Sequence, residues 1–418
     1  MALSGLPAIR SAMSNRNYRY YTAGNILSHF GSWIQRIAMG WLAWELEESG
    51  LWLGVVAIAE LGPAVILAPF AGAIADRIDR LRGIRSTQAL ALLQAVALAA
   101  VTYLGLASIT WLIVLAFVRG TIMAFNQPFR FAVLPSLVER QDLPAAIAIN
   151  SLSFNIARIL GPAVAAGLIV QWGVATAFTV NELTFLVFIA ALFAIKLENP
   201  FKAAPRPLNN IPFEILEGMR YCVSMPGIAQ MFFLMAVVAM FGRAYVELMP
   251  GFADDVFGRG VDGLGILHSA IGGGAIFASI LLTMRGGITG LVRLVGWMVL
   301  LVGVGLIGFT ATSNFWFGVV SAALTGFGMV IIGVGEQQLI QNAVAGNVRG
   351  RVMSLYGMIS RGGPALGALL MGAASEWVGL RIPVAVGGLL CFGLCFWVFA
   401  RSGEMAAALE GEPDGSGG

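Results

Sequence analysis

Two nine-residue stretches decide the plan of the chain: Asn150-Ser-Leu-Ser-Phe-Asn-Ile-Ala-Arg158 and Met353-Ser-Leu-Tyr-Gly-Met-Ile-Ser-Arg361. They align without gaps, and Ser, Leu and Arg recur at a constant offset of 203 in a chain of 418 residues. A Gly-Pro pair follows each stretch, at Gly161-Pro162 and at Gly363-Pro364. Because the offset is close to half of the chain length, the repeat predicts two homologous halves.

The composition around these stretches is that of a membrane protein. Hydrophobic residues make up 58% of the chain and charged residues 11%, whereas soluble domains carry about 25% charged residues. One helical span needs about 20 apolar residues, and twelve such spans account for nearly the whole chain. The spans are predicted near residues 21–46, 51–75, 86–106, 109–129, 145–170, 175–196, 227–250, 263–284, 290–311, 315–339, 352–374 and 381–400. The sequence thus predicts an all-α integral membrane protein with twelve transmembrane helices in two pseudo-symmetric six-helix halves, a plan that secondary transporters use.

The basic residues predict the orientation of these spans. Of 25 Lys and Arg residues, 18 fall in or beside loops on one side, only Arg259 and Arg381 fall on the other side, and five lie within spans. Since cytoplasmic loops carry the excess of Lys and Arg, we expect a multi-pass protein with both termini in the cytoplasm. The first 20 residues are polar and basic, so we expect the first span to direct insertion without a cleaved signal peptide.

The longest break in hydrophobicity, residues 197–226, divides the spans six and six. It contains five prolines and an amphipathic stretch in which Leu216, Met219 and Val223 share one face, which predicts a helix lying on the membrane surface. The predicted organisation is an N-terminal half at 1–198, a cytoplasmic linker at 199–226, a C-terminal half at 227–402 and a disordered tail at 403–418.

Several classes of function are excluded or disfavoured. The chain has only two lysines, Lys196 and Lys202, and no GxxxxGK[ST] phosphate loop, which excludes ATP-driven transport by this chain. No HExxH motif or metal-ligand cluster is present in a sequence with two histidines, which disfavours a membrane-embedded enzyme. We therefore expect no cofactor, no metal and no nucleic-acid partner; the expected partners are a small-molecule substrate, protons and membrane lipid, and the expected state is a monomer.

The loop between the second and third spans reads Gly72-Ala-Ile-Ala-Asp76-Arg77-Ile-Asp79-Arg80-Leu-Arg82. It resembles the GxxxDRxGRR motif of the major facilitator superfamily, at the position where that superfamily has it, with Asp79 in place of a glycine. The resemblance implies that Gly72, Asp76, Arg77 and Arg80 form a conformational motif. It also implies that Asp76 faces the N-terminus of a neighbouring helix, span eleven, and stabilises the outward-facing state.

The fifth span carries a second match. Ala148, Ala157, Gly161-Pro162 and Ala165-Ala166 fall on the frame G-x8-G-x3-GP-x2-GG, the antiporter motif of the same superfamily, with alanine at four of its glycine positions. Small residues let helices approach closely, so Gly161 and Pro162 are candidate packing residues of the transport cycle.

Three further phrases, Gly31-Ser-Trp-Ile-Gln35, Leu134-Pro-Ser-Leu-Val138 and Arg349-Gly-Arg-Val-Met-Ser354, resemble the bacterial branch that contains the enterobactin exporter and macrolide efflux permeases. The resemblance implies a proton-coupled exporter of a drug- or siderophore-like small molecule in the bacterial cytoplasmic (inner) membrane.

Charged side chains within spans are costly and mark candidate transport or coupling residues. Arg36 and Glu60 are predicted at similar depths in the first two spans, which makes them either a working pair in a central cavity or a structural ion pair. For Arg243 and Glu247 a non-functional interpretation is favoured, because Glu247 lies close enough to the outer surface to be hydrated. The transport and coupling candidates are Arg36, Glu60, Arg119, Arg158, Glu182, Glu336 and Arg361.

Four alternatives to export remain open at this point. An importer or a lipid permease with the same fold would carry the same motifs. A membrane-embedded enzyme or a scaffold that transports nothing belongs to another class, and buried span charges would serve no purpose in a scaffold.

Overall fold

A computed structural model describes residues 6–75, 77–197, 211–346 and 348–411, and these residues form helices joined by short loops, with no strand among them. The α-helices are α1 Leu6–Ser14, α2 Arg16–Glu47, α3 Gly50–Ala75, α4 Arg80–Tyr103, α5 Ile109–Val133, α6 Leu143–Trp172, α7 Val174–Ala194, α8 Ile211–Ser224, α9 Pro226–Val237, α10 Met249–Gly251, α11 Gly260–Arg285, α12 Leu291–Ala311, α13 Phe315–Ala343, α14 Arg349–Val378, α15 Arg381–Ala400 and α16 Ser402–Leu409.

Ten helical segments of the described chain are long and apolar enough to cross a membrane. Helices α2 and α14 are as long, with 32 and 30 residues, but they carry more polar residues. Together with these two helices there would be the twelve predicted spans; the number of spans stays a prediction. The chain is an all-α integral membrane protein.

Large apolar side chains on the outer faces of the helices fit this environment. Ile66, Leu93, Phe277 and Met284 are between 64% and 82% exposed, which would be unfavourable in water over so many helices. In a bilayer these side chains face lipid, and each helix satisfies its own backbone hydrogen bonds.

Local sequence signals place the helix ends. The side chains of Ser108 and Asn314 accept hydrogen bonds from backbone N–H groups in the first turns of α5 and α13, as N-cap residues do. Gly173 and Gly379 end α6 and α14 with φ of 83° and 75°, a left-handed conformation that glycine adopts without strain.

The described residues within Met1–Leu46 and Ile66–Leu208 form one compact unit, and those within Glu47–Val65 and Asn209–Gly418 form a second. The first unit contains α1, α2, the second half of α3 and α4–α7. The second unit contains α8–α16 together with the first half of α3. The sequence placed residues 47–65 in the N-terminal half at 1–198, whereas the structure groups them with the second unit. The assignment of two six-helix halves stays a prediction.

The seventh span is an interrupted helix, not the regular one that its hydropathy suggests. After α9 the backbone forms a π-helical turn at Val238–Gly242, a 3-10 turn at Ala244–Leu248, the short α10 and a second π-helical turn at Phe252–Val256. Turns of the π type are rare and occur often at functional sites.

The predicted surface helix of the linker is present as α8. Leu216, Met219 and Val223 are exposed on one face, while Glu217 forms an ion pair with Arg351 of α14 at 2.6 Å. The other linker residues, 198–210, lie outside the described residues. Exposed apolar side chains on a helix beside the bundle are what a helix on the membrane surface requires.

The C-terminal segment corrects one expectation. Residues 402–409, predicted within or beside a disordered tail from residue 403, form α16, because Met405 and Leu409 are buried. Beyond it, the Glu410 carboxylate accepts hydrogen bonds from the backbone N–H groups of Gly290 and Val292, at 2.6 and 2.8 Å. An acid at the positive N-terminal end of α12 stabilises that helix. Residues 412–418 lie outside the described residues.

Candidate functional site: polar clusters inside the helical units

Arg130 forms an extensive polar cluster in the first unit. It lies in the last turn of α5 and is 7% exposed. Its Nε donates to Asn126 Oδ1 at 2.6 Å and its Nη1 to Asn25 Oδ1 at 2.6 Å, and its Nη2 donates to Ser28 Oγ and Gln88 Oε1 at 2.7 and 3.1 Å. All these acceptors are neutral, so the guanidinium holds α2, α4 and α5 together while it keeps its charge.

Arg130 is not among the residues that the sequence predicts within a span. The predicted span ends at 129 and leaves Arg130 in a loop, whereas α5 continues to Val133. Arg130 is therefore a further charge within the helical core. The polar residues Asn25, Ser28, Gln88 and Asn126 in apolar spans were the available signal, because a buried charge needs hydrogen-bonding partners.

A second cluster of amides gives a role to the phrase Gly31–Gln35. The Gln35 side chain donates to Gln94 Oε1 at 2.9 Å and accepts from the Asn181 side chain, and all three residues are buried. A Cβ at Gly31 would lie 2.0 Å from Thr184 Oγ1. The absence of a side chain at Gly31 therefore leaves room for the Thr184 and Asn181 side chains of α7 beside α2.

The Gly-Pro pairs of the repeat make equivalent contacts in the two units. A Cβ at Gly161 of α6 would lie 2.7 Å from Trp33 Cβ of α2, and a Cβ at Gly363 of α14 would lie 2.6 Å from Ala239 Cβ of the seventh span. In each unit the fifth helix of a half thus packs on the first helix of the same half through a glycine. Close packing is what the small residues of the antiporter motif predict, and Ala157, Ala165 and Ala166 are buried as well.

In the loop before α4, the departure from the superfamily motif has a structural explanation. Asp79 is the N-cap of α4, and its Oδ1 accepts from the Arg82 N–H at 2.8 Å. A glycine supplies no such acceptor. Arg80 Nη1 donates to Ser136 Oγ at 3.0 Å, Arg77 is exposed and Gly72 is half-buried with open space around it. Asp76 lies outside the described residues.

The charged candidates of the first unit are spread over several helices. Arg36 lies 6.0 Å from the centre of the Trp33 ring, and Arg119, which is buried, donates to the backbone oxygen of Ser32 at 3.0 Å. Glu182 is half-buried, and its Oε1 has no hydrogen-bond partner among the described residues. The contacts of Arg36 with Trp33 and of Arg119 with Ser32 thus involve the same turn of α2. Arg158 is half-buried on α6.

Arg36 and Glu60 belong to different compact units. Glu60 is buried in the first half of α3, and this half groups with the second unit, whereas Arg36 belongs to the first. The pair stays a prediction.

In the second unit, Glu336 and Arg243 line one small pocket. Glu336 of α13 is 4% exposed, and its Oε1 has no hydrogen-bond partner among the described residues. Arg243 follows the π-helical turn Val238–Gly242, and its N–H donates to the Val238 oxygen at 2.9 Å. The other lining residues are Met235, Val238, Ala239, Met329, Ile332, Gly333 and Ser360. Arg243, for which the sequence favoured a non-functional interpretation, thus lines the same pocket as Glu336. Arg361 is exposed on α14.

The first half of α3 packs backbone to backbone against α14. A Cβ at Gly372 would lie 2.1 Å from the oxygen of Gly50, and a Cβ at Gly54 would lie 2.6 Å from the oxygen of Ala368. At the start of α3, Glu376 Oε1 accepts from Ser49 Oγ at 2.7 Å and from the Leu51 N–H at 3.3 Å. Glycines and one acidic cap thus join these two helices.

Solved structures of transporters share the fold. The chain superposes with a TM-score of 0.72 on a peptide transporter POT in complex with sulfate, at 14% sequence identity, covering 97% of this chain and 100% of that chain. A bacterial homolog to the human lysosomal transporter Spinster gives a TM-score of 0.67 at 16% identity, over 97% of this chain and 98% of that one.

Curated relatives are similar over most of their length. The Staphyloferrin A transporter of Staphylococcus aureus is 27% identical over 387 residues, 92% of this chain and 96% of the relative. The Enterobactin exporter of Salmonella typhimurium is 25% identical over 77% of this chain and 76% of its own. Macrolide efflux protein A of Streptococcus pyogenes is 22% identical over 88% and 92%.

The family model described as "Transmembrane secretion effector" matches residues 9–408, which is nearly the whole chain. This match confirms the resemblance seen in the motifs. The chain therefore belongs to the transmembrane secretion effector family of the major facilitator superfamily; it is a transporter, not an enzyme, and a multi-pass protein of the bacterial cytoplasmic membrane.

Proposed function

We propose that this transporter is a secondary active exporter that moves a drug- or siderophore-like small molecule out of the cell in exchange for protons. The observation that carries the proposal is the set of ionisable side chains buried within membrane helices, Glu60, Arg119 and Glu336, which are between 4% and 8% exposed. Such residues in membrane spans mark substrate and ion pathways. The relatives named for staphyloferrin A, enterobactin and macrolides support export and these substrate classes.

The two units supply the parts that alternating access requires. In transporters built from repeats, the repeats rock around a site near the midplane. We place substrate recognition and coupling on Arg36, Glu60, Arg119, Arg158, Glu182, Glu336 and Arg361. The motif of Gly72, Asp76, Arg77 and Arg80, with Gly161 and Pro162, would set the balance between conformations. The proposed orientation has both termini in the cytoplasm, and the proposed functional state is a monomer in contact with lipid.

Transport in everted membrane vesicles tests the direction and the energy source. Vesicles from cells that express the chain are made acidic inside by an imposed pH gradient and are given staphyloferrin A, enterobactin or erythromycin as the probe. An exporter accumulates at least one probe several-fold over vesicles without the chain, and a protonophore abolishes the difference.

Other outcomes would support another function. Accumulation of a probe only in right-side-out vesicles would mean an importer. Movement of a fluorescent phospholipid analogue between leaflets, without accumulation of any probe, would mean a lipid permease. Accumulation that persists at full rate with the protonophore would refute proton coupling.

A further inference from the structure

Arg130 and Glu336 occupy matching positions in the two halves of the chain. Each lies on the fourth helix of its half, and each lies 21 residues after the first residue of that helix, Ile109 or Phe315. Both helices begin at a side-chain N-cap, Ser108 or Asn314. Each half therefore has a buried charged residue at the same distance from the start of its fourth helix.

The surroundings of these two residues are opposite in character. Neutral side chains accept four hydrogen bonds from the Arg130 guanidinium, so this charge is solvated by the protein. Glu336 has an oxygen without a hydrogen-bond partner among the described residues and borders open space in a pocket. A buried carboxylate that lacks partners is costly, whereas a neutral carboxylic acid there costs much less. Release of a proton from Glu336 therefore requires a cation that approaches the carboxylate.

The groups that face Glu336 are few. From the seventh span Arg243 approaches, and from α14 Ser360 lines the same pocket. Tyr356 of α14 is within electrostatic range of both charged residues, and its hydroxyl donates to the Gly333 oxygen at 2.9 Å. Helices α11 and α12 pack against α13 with apolar or backbone groups at Ile271, Val295 and Val302. Among the described residues at this pocket, Arg243 is thus the cation available to a deprotonated Glu336.

We propose that Glu336 is the carboxyl group that binds and releases the coupling proton, and that Arg243, carried by the π-helical interruption of the seventh span, is its counter-ion. This inference rests on the proposed proton-coupled export. The proton binds to a Glu336 carboxylate oxygen and leaves a neutral acid in the apolar pocket. When the proton leaves, the carboxylate pairs with Arg243. Because a π-helical turn can convert to a regular turn by a shift of one residue, Arg243 has a way to follow the charge.

Modification by dicyclohexylcarbodiimide, which reacts with protonated carboxyl groups inside membranes, tests the site without any substrate. Purified wild-type protein in liposomes is treated at pH values from 5 to 9, and the modified peptides are quantified by mass spectrometry. We expect modification of Glu336 at low pH that falls at least tenfold as the pH rises. In Arg243→Gln, modification persists to higher pH, because the carboxylate has lost its counter-ion. Wild-type protein without modification at Glu336, or the same profile in Arg243→Gln, would overturn the proposal.

Transport by variants separates this inference from the proposed function. Glu336→Gln, and Glu336→Asp if the first variant does not fold, are compared with Glu404→Gln, a control at an exposed glutamate of α16. The probe is staphyloferrin A, enterobactin or erythromycin, whichever the wild type accumulates. We expect the pH-driven accumulation of the probe to fall at least tenfold in Glu336→Gln, while exchange of labelled for unlabelled probe continues. Glu404→Gln should accumulate the probe as the wild type does.

Failure takes a different form for each proposal. A wild type that ignores the pH gradient refutes proton-coupled export, and the carbodiimide profile still decides whether Glu336 titrates. A wild type that responds to the gradient, with Glu336→Gln responding equally, refutes the role of Glu336 alone; Glu60→Gln and Glu182→Gln then become the variants to measure.

Discussion

Replacing Gly372 by alanine should separate the first half of α3 from α14. The added Cβ would lie 2.1 Å from the oxygen of Gly50 and 2.7 Å from its carbonyl carbon, whereas ordinary contacts begin at 3.4 Å. Both neighbouring atoms belong to the backbone, so no side-chain rotation can relieve the overlap. The two helices must move apart by about 1 Å, and overpacking of this kind costs about 1–3 kcal/mol.

That cost corresponds to a roughly 5- to 150-fold change in the equilibrium constant between the packed and the separated arrangement, since 1.4 kcal/mol is a factor of about ten. Spin labels at Glu48 and Trp377, two exposed residues near the Ser49–Glu376 contact, report the separation by pulsed electron paramagnetic resonance. We expect a longer or bimodal distance distribution in Gly372→Ala.

A matched control is available in α11. A Cβ at Gly273 would meet nothing within 4 Å, so Gly273→Ala should keep the wild-type distance and gain a little helix stability. An unchanged distance distribution in Gly372→Ala would refute the reasoning. A lowered melting temperature with an unchanged distance would mean that the contact is structural and does not open.

Three further experiments have expected outcomes. Arg130→Gln should lower the unfolding free energy by about 3 kcal/mol, because four acceptors lose a charged donor; a wild-type melting temperature in detergent would contradict this. Burial raises the pKa of the Cys222 thiol, outside the spans in α8, from 9.0 to about 11. The thiolate fraction at pH 8 should therefore be about 100-fold below that of an ordinary cysteine, with maleimide reacting correspondingly slowly until the protein is unfolded; equal rates in folded and unfolded protein would exclude this burial. Arg36→Gln and Glu60→Gln should each impair expression or transport if the two residues pair, since each strands a charge. In the double variant, restored expression with restored transport means a structural pair and restored expression alone means a working site, whereas wild-type behaviour of both single variants would exclude the pair.

The helices themselves were largely predictable from the sequence. An apolar run bounded by loops predicted a span at 381–400, and α15 spans Arg381–Ala400. The ends of other spans shifted by a few residues, because polar residues continue a helix beyond the bilayer core when they find partners. The family could also be read from the motifs, since Gly161 and Gly363 act locally through their lack of a side chain.

The polar interior was harder to predict, because it depends on partners from distant helices. Arg130 counts as a loop residue for any hydropathy average, and only its acceptors on α2 and α4 place it in the core. The interruption of the seventh span was not visible in the mean hydropathy, since Pro226–Val256 as a whole is apolar enough to cross a membrane despite Arg243 and Glu247. The facing positions of Arg243 and Glu336 follow from that interruption, so the pocket could not be seen from the sequence.

The contact between Ser49 and Glu376 also has a consequence for biosynthesis. The two residues are 327 positions apart, and ribosomes add about 5–20 residues per second. The first half of α3 therefore enters the membrane tens of seconds before its partner helix exists. During that interval its bare backbone at Gly50 and Gly54 must be covered by lipid or by a membrane insertase. A nascent chain arrested before residue 349 should accordingly crosslink at these glycines to lipid or insertase, and release of the full chain should remove those crosslinks.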